Sequence, residues 1–467
     1  MSQVQTEQVE LVASPEEEPR FHREKGEYMK ILSAGFSFFV AGVNDGSIGA
    51  LLPYVIKQFH VSTALVSIVY GANFLGWLFA AVANTHLLQY FDLGLMLTIG
   101  AGFQALAHAL RSWNPPFALF VVTFWLVSVG QAFQDTHANT FVARIKGGNA
   151  HRWLAFIHAS YMAGSLLGPF VSTAIASAGT VSRWYLFYTF PLSIGVINVT
   201  WVAYSFRDSL RLHKKRHAAE AGTPTGAAPD GDEQLASPSA QDAARDDEAG
   251  SAGQEVGGQE GSKNKDAMRL IKETLATPSV WSISLFYFFY LGSALTASGW
   301  VVKYLVDVRH GELSRMGFVP AGFNGGCLLG RLLLAEPTYR FGERRMILVY
   351  CVVSIGLQLA FWFTPNIIAE SIFISLIGFF TGPMFQVGIS VGTKLFPSHV
   401  QPTALALIFV CAQMGGSIFP VITGVIAAAA GVKVLQPILV GSMAAMTIAW
   451  ILVPRPKSLP NTASHQE

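Results

Sequence analysis

The placement of charge along the chain constrains its fold more than any other feature. The chain has 31 basic and 29 acidic side chains. Two blocks of equal length, residues 31–206 and 278–453, together hold only 23 of these charged side chains. Hydrophobic residues make up 51% of the sequence. Long stretches with so few charges are typical of polytopic helical membrane proteins. They exclude a secreted enzyme, a nucleic-acid binder and a disordered scaffold.

Each block divides into six continuous apolar runs. A membrane-spanning helix needs roughly 20 such residues, whereas a β-barrel would show alternating segments of about 10 residues. We therefore predict an all-α membrane protein with twelve transmembrane helices. The predicted spans, numbered 1 to 12, are 31–56, 64–88, 93–111, 117–145, 153–178 and 184–206 in the first block and 278–305, 313–335, 345–363, 366–394, 401–429 and 433–453 in the second.

The polar remainder of the chain lies outside these blocks. The stretch from Ala218 to Gly261 is rich in Ala, Gly, Ser, Pro, Asp and Glu and has almost no aliphatic or aromatic side chains. Such a composition favours a solvated tether over a regulatory element, because it buries too little apolar surface to offset the entropy of ordering. The predicted organisation is a disordered N-terminus (1–30), a six-helix bundle (31–206), a disordered linker (207–277), a second six-helix bundle (278–453) and a tail (454–467).

Basic residues predict the orientation in the bilayer. They precede span 1, lie between spans 4 and 5, follow span 6, lie between spans 8 and 9, and follow span 12. With twelve spans, all of these positions are on one side, which the positive-inside rule makes cytoplasmic. Lys303, Arg309 and Arg315 on the other side weaken the contrast. We expect both termini in the cytoplasm and favour the plasma membrane over an internal membrane.

The two blocks are related by an internal repeat. At an offset of 252 residues, Gly130, Phe133 and Gln134 match Gly382, Phe385 and Gln386, and Met162, Gly164 and Ser165 match Met414, Gly416 and Ser417. Equivalent spans are six apart, so they cross the membrane in the same direction. This is a parallel repeat about an axis along the membrane normal, which is the organisation of the major facilitator fold.

One motif strengthens the resemblance to the major facilitator superfamily. Gly330-Arg331, followed by Arg340-Phe341-Gly342-Glu343-Arg344-Arg345, resembles the loop signature after the second helix of each half in that family. The resemblance implies a cytoplasmic gate formed by Arg331, Arg340, Glu343, Arg344 and Arg345. The counterpart in the first half, residues 90–94, lacks the basic residues.

Two further motifs are similar to the fucose permease branch and its fungal members. Asn44-Asp45 precedes Leu51-Leu52-Pro53 in span 1, and residues 135–142 of span 4 read Asp-Thr-His-Ala-Asn-Thr-Phe-Val. The resemblance implies proton coupling through Asp45 and Asp135. That branch carries amides in span 5 where this chain has Phe156 and Ala159, so the resemblance implies no particular sugar.

Asp45 lies near the middle of span 1. An ionised carboxylate in hydrocarbon is costly, so it must face a wet cavity, find a partner or be protonated, and it is a functional-site candidate by default. The alternative is an acid that only pairs with a neighbouring helix. Gly42, Gly46, Gly49 and Pro53 surround it and predict a bent or unwound helix beside a substrate site.

Span 4 carries a polar face. Gln131, Asp135 and Asn139 are four residues apart and therefore stack on one side of a helix. Such a face lines an aqueous path or forms an interhelical clamp. His158 in span 5 is a candidate proton relay, because histidine titrates near neutral pH, or equally a satisfied core residue.

Other polar side chains complete the candidate site. His137 points away from the polar face of span 4, and we expect His108 at the membrane interface. The second half supplies neutral groups, and aromatic faces with amides suit a sugar or another polyhydroxy solute. The predicted substrate-binding residues are Asn44, Gln131, Asn139, Tyr287, Tyr290, Trp300, Asn324, Gln386 and Gln413. Arg331 either pairs with an acidic substrate or belongs to the gate, and the Gly330-Arg331 string favours the gate.

These observations predict a monomeric, proton-coupled secondary transporter of a small polar solute, with the bilayer, the solute and protons as its partners. Efflux of an apolar metabolite and a nontransporting nutrient receptor are the alternatives. No phosphate loop, metal-type spacing or nucleophile–base pair is present outside the spans, so we expect no enzyme activity, cofactor, metal or nucleic-acid partner. The three cysteines lie in apolar runs and are expected to be core residues.

Overall fold

The structure confirms the predicted helical architecture. The computed structural model describes residues 26–88, 90–145, 150–210, 269–397 and 399–454, and its regular elements there are helices, without a β-strand. Eleven of these helices are long and apolar enough to cross a membrane. A twelfth span consists of two segments bent by 52°. The predicted segments 1–30, 207–277 and 454–467 lie largely outside the described residues.

The first half contains spans 1 to 6. Span 2 is interrupted at Ser67, and span 6 begins with a short 3-10 helix, Trp184–Tyr188. The α-helices are α1 (Glu27–Phe59), α2 (Thr63–Val66), α3 (Ile68–Leu87), α4 (Leu93–Arg111), α5 (Phe117–Ala143), α6 (Ala150–Ala176) and α7 (Thr189–Ser205).

The second half contains spans 7 to 12. Span 8 extends beyond its predicted end through α11, and span 10 is broken after Thr381. The helices are α8 (Pro278–Asp307), α9 (Leu313–Met316), α10 (Val319–Leu333), α11 (Ala335–Phe341), α12 (Glu343–Phe363), α13 (Ile367–Thr381), α14 (Met384–Leu395), α15 (Gln401–Ala430) and α16 (Leu435–Ile451).

The break in span 10 has a local cause. Pro383 lacks an N–H group and interrupts the helical hydrogen bonding between α13 and α14. Three side chains bind backbone carbonyls around this break: Tyr290 at Thr381 (3.2 Å), Arg331 at Gly382 (3.1 Å) and Tyr287 at Phe385 (2.5 Å). These side chains therefore stabilise the break in span 10.

Glycines determine how α1 packs against α6. Gly42 and Gly46 on α1 face the backbone of α6, and Gly164 and Gly168 on α6 face the backbone of α1, so closely that a Cβ atom would overlap backbone atoms. The prediction of an unwound span 1 is wrong, because α1 is one continuous helix that includes Pro53. The glycines instead permit close contact between two helices, as in small-xxx-small motifs.

The two halves meet mainly away from the chain termini. We call the face where α1 begins and α16 ends the terminal face, and the opposite one the distal face. Near the distal face, Thr63 Oγ1 donates to the Gly424 carbonyl at 2.9 Å, and the rings of Phe170 and Phe318 are 5.8 Å apart. Closer to the terminal face, the rings of His158 and Phe385 are 6.3 Å apart. Contacts between α1 and α8 close the centre.

Candidate functional site

Asp45 is held by three hydrogen-bond donors in the middle of α1. Its Oδ1 accepts from Asn44 Nδ2 at 2.8 Å and from Gln131 Nε2 at 2.9 Å, and its Oδ2 accepts from the Tyr161 hydroxyl at 2.9 Å. The residue is half-buried. An ionised carboxylate only accepts hydrogen bonds, so this set of donors suits the charged form. Sequence reasoning missed Tyr161, because a tyrosine in an apolar span ordinarily packs or anchors at the interface.

A buried arginine lies behind this carboxyl. Arg111, the last residue of α4, is fully buried. Its Nη1 donates to Asn44 Oδ1 at 2.8 Å, its Nε donates to Thr123 Oγ1 at 2.7 Å, and its guanidinium stacks 3.9 Å from the Phe124 ring centre. Asn44 therefore connects a buried cation to the Asp45 carboxylate. Sequence reasoning also missed Arg111, because a cation at the end of a span is ordinarily interfacial.

The polar face of α5 continues from Asp45 toward the terminal face. Gln131 contacts Asp45, Asp135 lies one helical turn further on, and the Asn139 amide lies beside the Asp135 carboxyl. Asp135 and Asn139 are half-buried, and Asp135 forms no ion pair with any residue that the structure describes. Asp45 and Asp135 thus lie on one path. The step along this path from Gln131 to Asp135 is about 6 Å of helical rise.

The histidines occupy different environments. His158 is half-buried, and its ring centre lies 5.3 Å from that of Phe38 and 6.3 Å from that of Phe385. It forms no hydrogen bond with Asp45 or Asp135. His137 points away from the polar face, as predicted, and its Nε2 is 2.8 Å from Asn84 Oδ1. The prediction of an interfacial His108 is wrong, because its ring is fully buried and stacks on Tyr188.

Three aromatic residues predicted to bind substrate have their polar atoms committed to the backbone. Tyr287 and Tyr290 cap the broken span 10, and Trp300 Nε1 donates to the Pro420 carbonyl at 3.1 Å. All three are buried. These contacts stabilise the second half. Gln386 and Gln413 are half-buried and therefore more accessible than the three aromatic residues.

Asn324 joins the two halves at the centre of the molecule. Its Nδ2 donates to the Ser165 carbonyl on α6 at 2.8 Å. In a regular helix that carbonyl would accept from the residue four positions later, which is Pro169 and has no N–H. The amide from the second half therefore replaces a missing helical donor in the first.

The predicted gate residues make their contacts within the second half. Glu343 lies 2.6 Å from Lys394 and accepts from Ser390 at 2.9 Å. Arg340 pairs with Glu336 at the surface, and Arg344 donates to the backbone at the end of α16. Arg345 is exposed in the first turn of α12, where its backbone N–H donates to the Gly342 carbonyl at 3.0 Å.

Arg331 differs from the other gate residues because it lies in the last turn of α10 rather than in α11 or α12. Its Nε donates to the Gly382 carbonyl at 3.1 Å, and its guanidinium lies 5.8 Å from the centre of the Phe385 ring. It is half-buried and close enough to His158 and Tyr161 on α6 to act on them electrostatically. Arg331 thus faces the first half across the contact between the bundles.

Metal ligation has no support in the described part of the chain. No group of three or more His, Cys, Asp or Glu side chains lies close enough there to hold an ion. Cys327 and Cys351 are buried free thiols, as expected for core residues, and Cys411 is partly buried.

Two bundles of apolar helices with a hydrogen-bonded carboxyl near the middle of α1 are typical of a polytopic membrane transporter. The family model of the Major Facilitator Superfamily matches residues 34–374 and 315–467. The chain belongs to this superfamily, and it is a membrane transporter rather than an enzyme.

Known relatives agree with this assignment. The chain is 23% identical over 442 residues to Bypass of stop codon protein 6 of Saccharomyces cerevisiae, covering 91% of this chain and 82% of that protein. It shares its fold with a D-xylose–proton symporter (TM-score 0.68, 11% identity, 92% and 98% of the two chains). It also matches the E. coli fucose:proton symporter (TM-score 0.58, 16% identity, 92% and 100%). The predicted resemblance to the fucose permease branch is confirmed at the level of the fold.

Proposed function

We propose that this chain is a proton-coupled transporter of a small polar solute, a sugar or a related polyhydroxy compound, that works by alternating access. The observation that carries the proposal is the Asp45 carboxylate, held by Asn44, Gln131 and Tyr161 near the middle of α1. A transporter of apolar metabolites would have little use for so many polar groups at this depth, since each is costly in hydrocarbon. The fold shared with two sugar–proton symporters supports the same substrate class.

The two acids provide the proposed coupling. Asp135 lies one turn from Gln131 and forms no ion pair within the described ranges, so its charge is uncompensated by a neighbouring cation. A carboxyl in this position can bind a proton when the cleft is open to one side and release it when the cleft is open to the other. Asp45 belongs to the same hydrogen-bonded path, and solute hydroxyls would bind to Asp45, Gln131 and Asn139.

The proposed orientation follows the positive-inside rule. The terminal face would be cytoplasmic, with the linker of residues 207–277 on the same side and the protein in the plasma membrane. The two halves would rock about the central site and expose it alternately to each face.

Reconstituted liposomes test the proposal. The full chain is inserted into vesicles that contain a pH-sensitive dye, and D-xylose, L-fucose, D-glucose, sorbitol and D-glucuronate are added in turn. We expect proton movement with at least one of these solutes. Asp135→Asn should abolish pH-driven accumulation of that solute, while exchange of internal for external solute persists.

The matched control is Asp307→Asn, which makes the same chemical change at the distal end of α8, where Asp307 pairs with Lys303. This variant should accumulate solute like the unmodified chain. Proton-driven accumulation that survives in Asp135→Asn would contradict the role assigned to Asp135. Solute movement without any proton movement in the unmodified chain would contradict coupling altogether.

A further inference from the structure

We propose that the transported solute carries a carboxylate and that Arg331 binds it, so that the substrate is a polyhydroxy organic acid. This inference rests on the proposed function and specifies its substrate class. It follows from the placement of Arg331, from its unused hydrogen-bond donors and from the balance of charge around the central site.

Arg331 is oriented by the second half. Its Nε is fixed by the Gly382 carbonyl at 3.1 Å, and the Tyr290 hydroxyl lies beside the guanidinium. A guanidinium has five N–H donors in a rigid fork, so these two partners leave donors on the terminal nitrogens. The side chain is half-buried. A fixed fork with free donors matches the two oxygens of a carboxylate.

The guanidinium lies next to a contact between the two halves. Phe385 lies beneath Arg331 and approaches His158 on α6 with a centroid distance of 6.3 Å. His158 is on the same helix as Tyr161, the residue that donates to Asp45. A solute between the halves could therefore place its carboxylate on Arg331 and its hydroxyls on the Asp45 group.

The charges around the site leave Arg331 unbalanced. Asp45 is matched by the buried Arg111 through Asn44, whose oxygen accepts from Arg111 and whose nitrogen donates to Asp45. Within the described ranges no carboxylate forms an ion pair with Arg331. Its other charged or titratable neighbours are His158, Tyr161, Tyr287, Tyr290 and Cys327. A half-buried cation without an ion-paired carboxylate attracts an anion, and a monocarboxylate would neutralise it.

A role for Arg331 in the gate fits the contacts less well. Arg340, Glu343 and Arg344 interact near the terminal face with Glu336, Lys394 and the end of α16. Arg331 binds instead at the break of span 10, deeper in the bundle. Its contacts are at this break rather than at the loop after α11.

The inference also predicts the net charge moved per cycle. A monocarboxylate that binds Arg331 and a proton that binds Asp135 cross the membrane together without net charge. Uptake should therefore respond to a pH difference and be insensitive to membrane potential.

Matched pairs of solutes test the inference. The purified full chain is titrated with D-glucuronate or D-glucose, which differ only in the oxidation of C6, and with D-gluconate or sorbitol, while its melting temperature is recorded. A ligand that binds only the native state raises that temperature. We expect an acid of at least one pair to stabilise the chain at lower concentration than its neutral partner. Arg331→Gln should weaken this binding by about 10- to 100-fold, the value expected for a lost charged hydrogen bond.

Two further variants make the test specific. Arg331→Lys keeps the charge but loses the fork, so it should bind the acid with intermediate affinity. Arg315→Gln removes an exposed arginine that pairs with Glu312 at the surface, and it should leave binding unchanged. If Arg331→Gln does not fold, the comparison of the acid with its neutral partner on the unmodified chain still tests whether the site prefers a carboxylate.

Other outcomes would overturn the inference. Equal stabilisation by acid and neutral solutes, unaffected by Arg331→Gln, would refute the carboxylate site while leaving the polyhydroxy transporter intact. A lack of stabilisation by either acid, with proton-coupled uptake of a neutral sugar in vesicles, would have the same meaning. Failure of every solute in both assays would refute the proposed function as well.

Discussion

The Tyr161 hydroxyl donates to Asp45 Oδ2 at 2.9 Å and so connects α6 to the acid at the centre of α1. Tyr161→Phe removes this donor without changing the ring. We expect a loss of about 1.5–3 kcal/mol in the free energy of unfolding, the usual contribution of a hydrogen bond to a charged group. Solute accumulation should fall as well. The melting temperature and vesicle uptake measure the two effects.

The control for this change is Tyr204→Phe, because Tyr204 is 60% exposed. It should leave both quantities unchanged. If Tyr161→Phe behaves like Tyr204→Phe, the hydrogen bond to Asp45 contributes to neither stability nor transport.

Arg111 and Asp45 are predicted to depend on each other. Arg111→Met leaves Asn44 and Thr123 without their donor and the buried carboxylate without its cation, so it should destabilise the chain by about 3–5 kcal/mol. Adding Asp45→Asn removes the uncompensated charge and should recover part of the loss. Melting temperatures of the single and double variants give the coupling energy.

Arg315→Met is the matched control, because Arg315 is highly exposed, and its effect should stay within about 0.5 kcal/mol. Strict additivity of Arg111→Met and Asp45→Asn would show that the two charges do not interact through Asn44.

The hydrogen bond from Asn324 to the Ser165 carbonyl should depend on Pro169. Asn324→Leu leaves a buried acceptor unpaired and should cost about 1–3 kcal/mol. In a Pro169→Ala background the new N–H can donate to the same carbonyl, so Asn324→Leu should cost less. A double-variant cycle of melting temperatures measures this difference.

Pro420→Ala offers a comparison, since it changes a proline in α15 that is unrelated to Ser165. The cost of Asn324→Leu should be the same with or without Pro420→Ala. An equal cost in the Pro169→Ala background would contradict the idea that Asn324 replaces a missing helical donor.

The ion pair between Lys30 and Asp208 should contribute a small, pH-dependent stability. Lys30 Nζ donates to Asp208 Oδ2 at 2.6 Å, and this hydrogen bond lowers the pKa of the Asp208 carboxyl below its ordinary value. A depressed pKa in the folded state gives stability that is present above the ordinary pKa and is lost as the pH falls through the lower value. Asp208 is largely exposed, so we expect at most about 1 kcal/mol.

Asp208→Asn should therefore lower the melting temperature slightly at pH 7 and have no effect once the pH is below the lowered pKa of Asp208. A constant difference at both pH values would indicate that the pair does not ionise as described.

The architecture was predictable because its signals are long and repeated. Twelve apolar runs and a parallel repeat specify the number and direction of helices without knowledge of side-chain contacts. Asp45 was also predictable, since a carboxyl in hydrocarbon always requires an explanation. The face of Gln131, Asp135 and Asn139 follows from helical spacing alone.

The partners of Asp45 were not predictable in the same way. Tyr161 and Arg111 lie 116 and 67 residues away from the Asp45–Asn44 pair, and their contacts depend on how α6 and α4 pack around α1. The glycines near Asp45 allow unwinding or close packing, and the sequence does not distinguish the two. Likewise, the sequence alone allows the hydroxyls of Tyr287 and Tyr290 to bind a solute. In the structure they donate to backbone carbonyls at the break in span 10.

The close glycine contact between α1 and α6 has a consequence for the transport cycle. Two helices that interlock through their backbones move as one body, so the carboxyl on one and the phenol on the other keep their distance whichever compartment the cleft faces. A solute that arrives from either side of the membrane would then meet the same half of the proposed binding site. Only the opposite wall, supplied by the second bundle, changes its position around it.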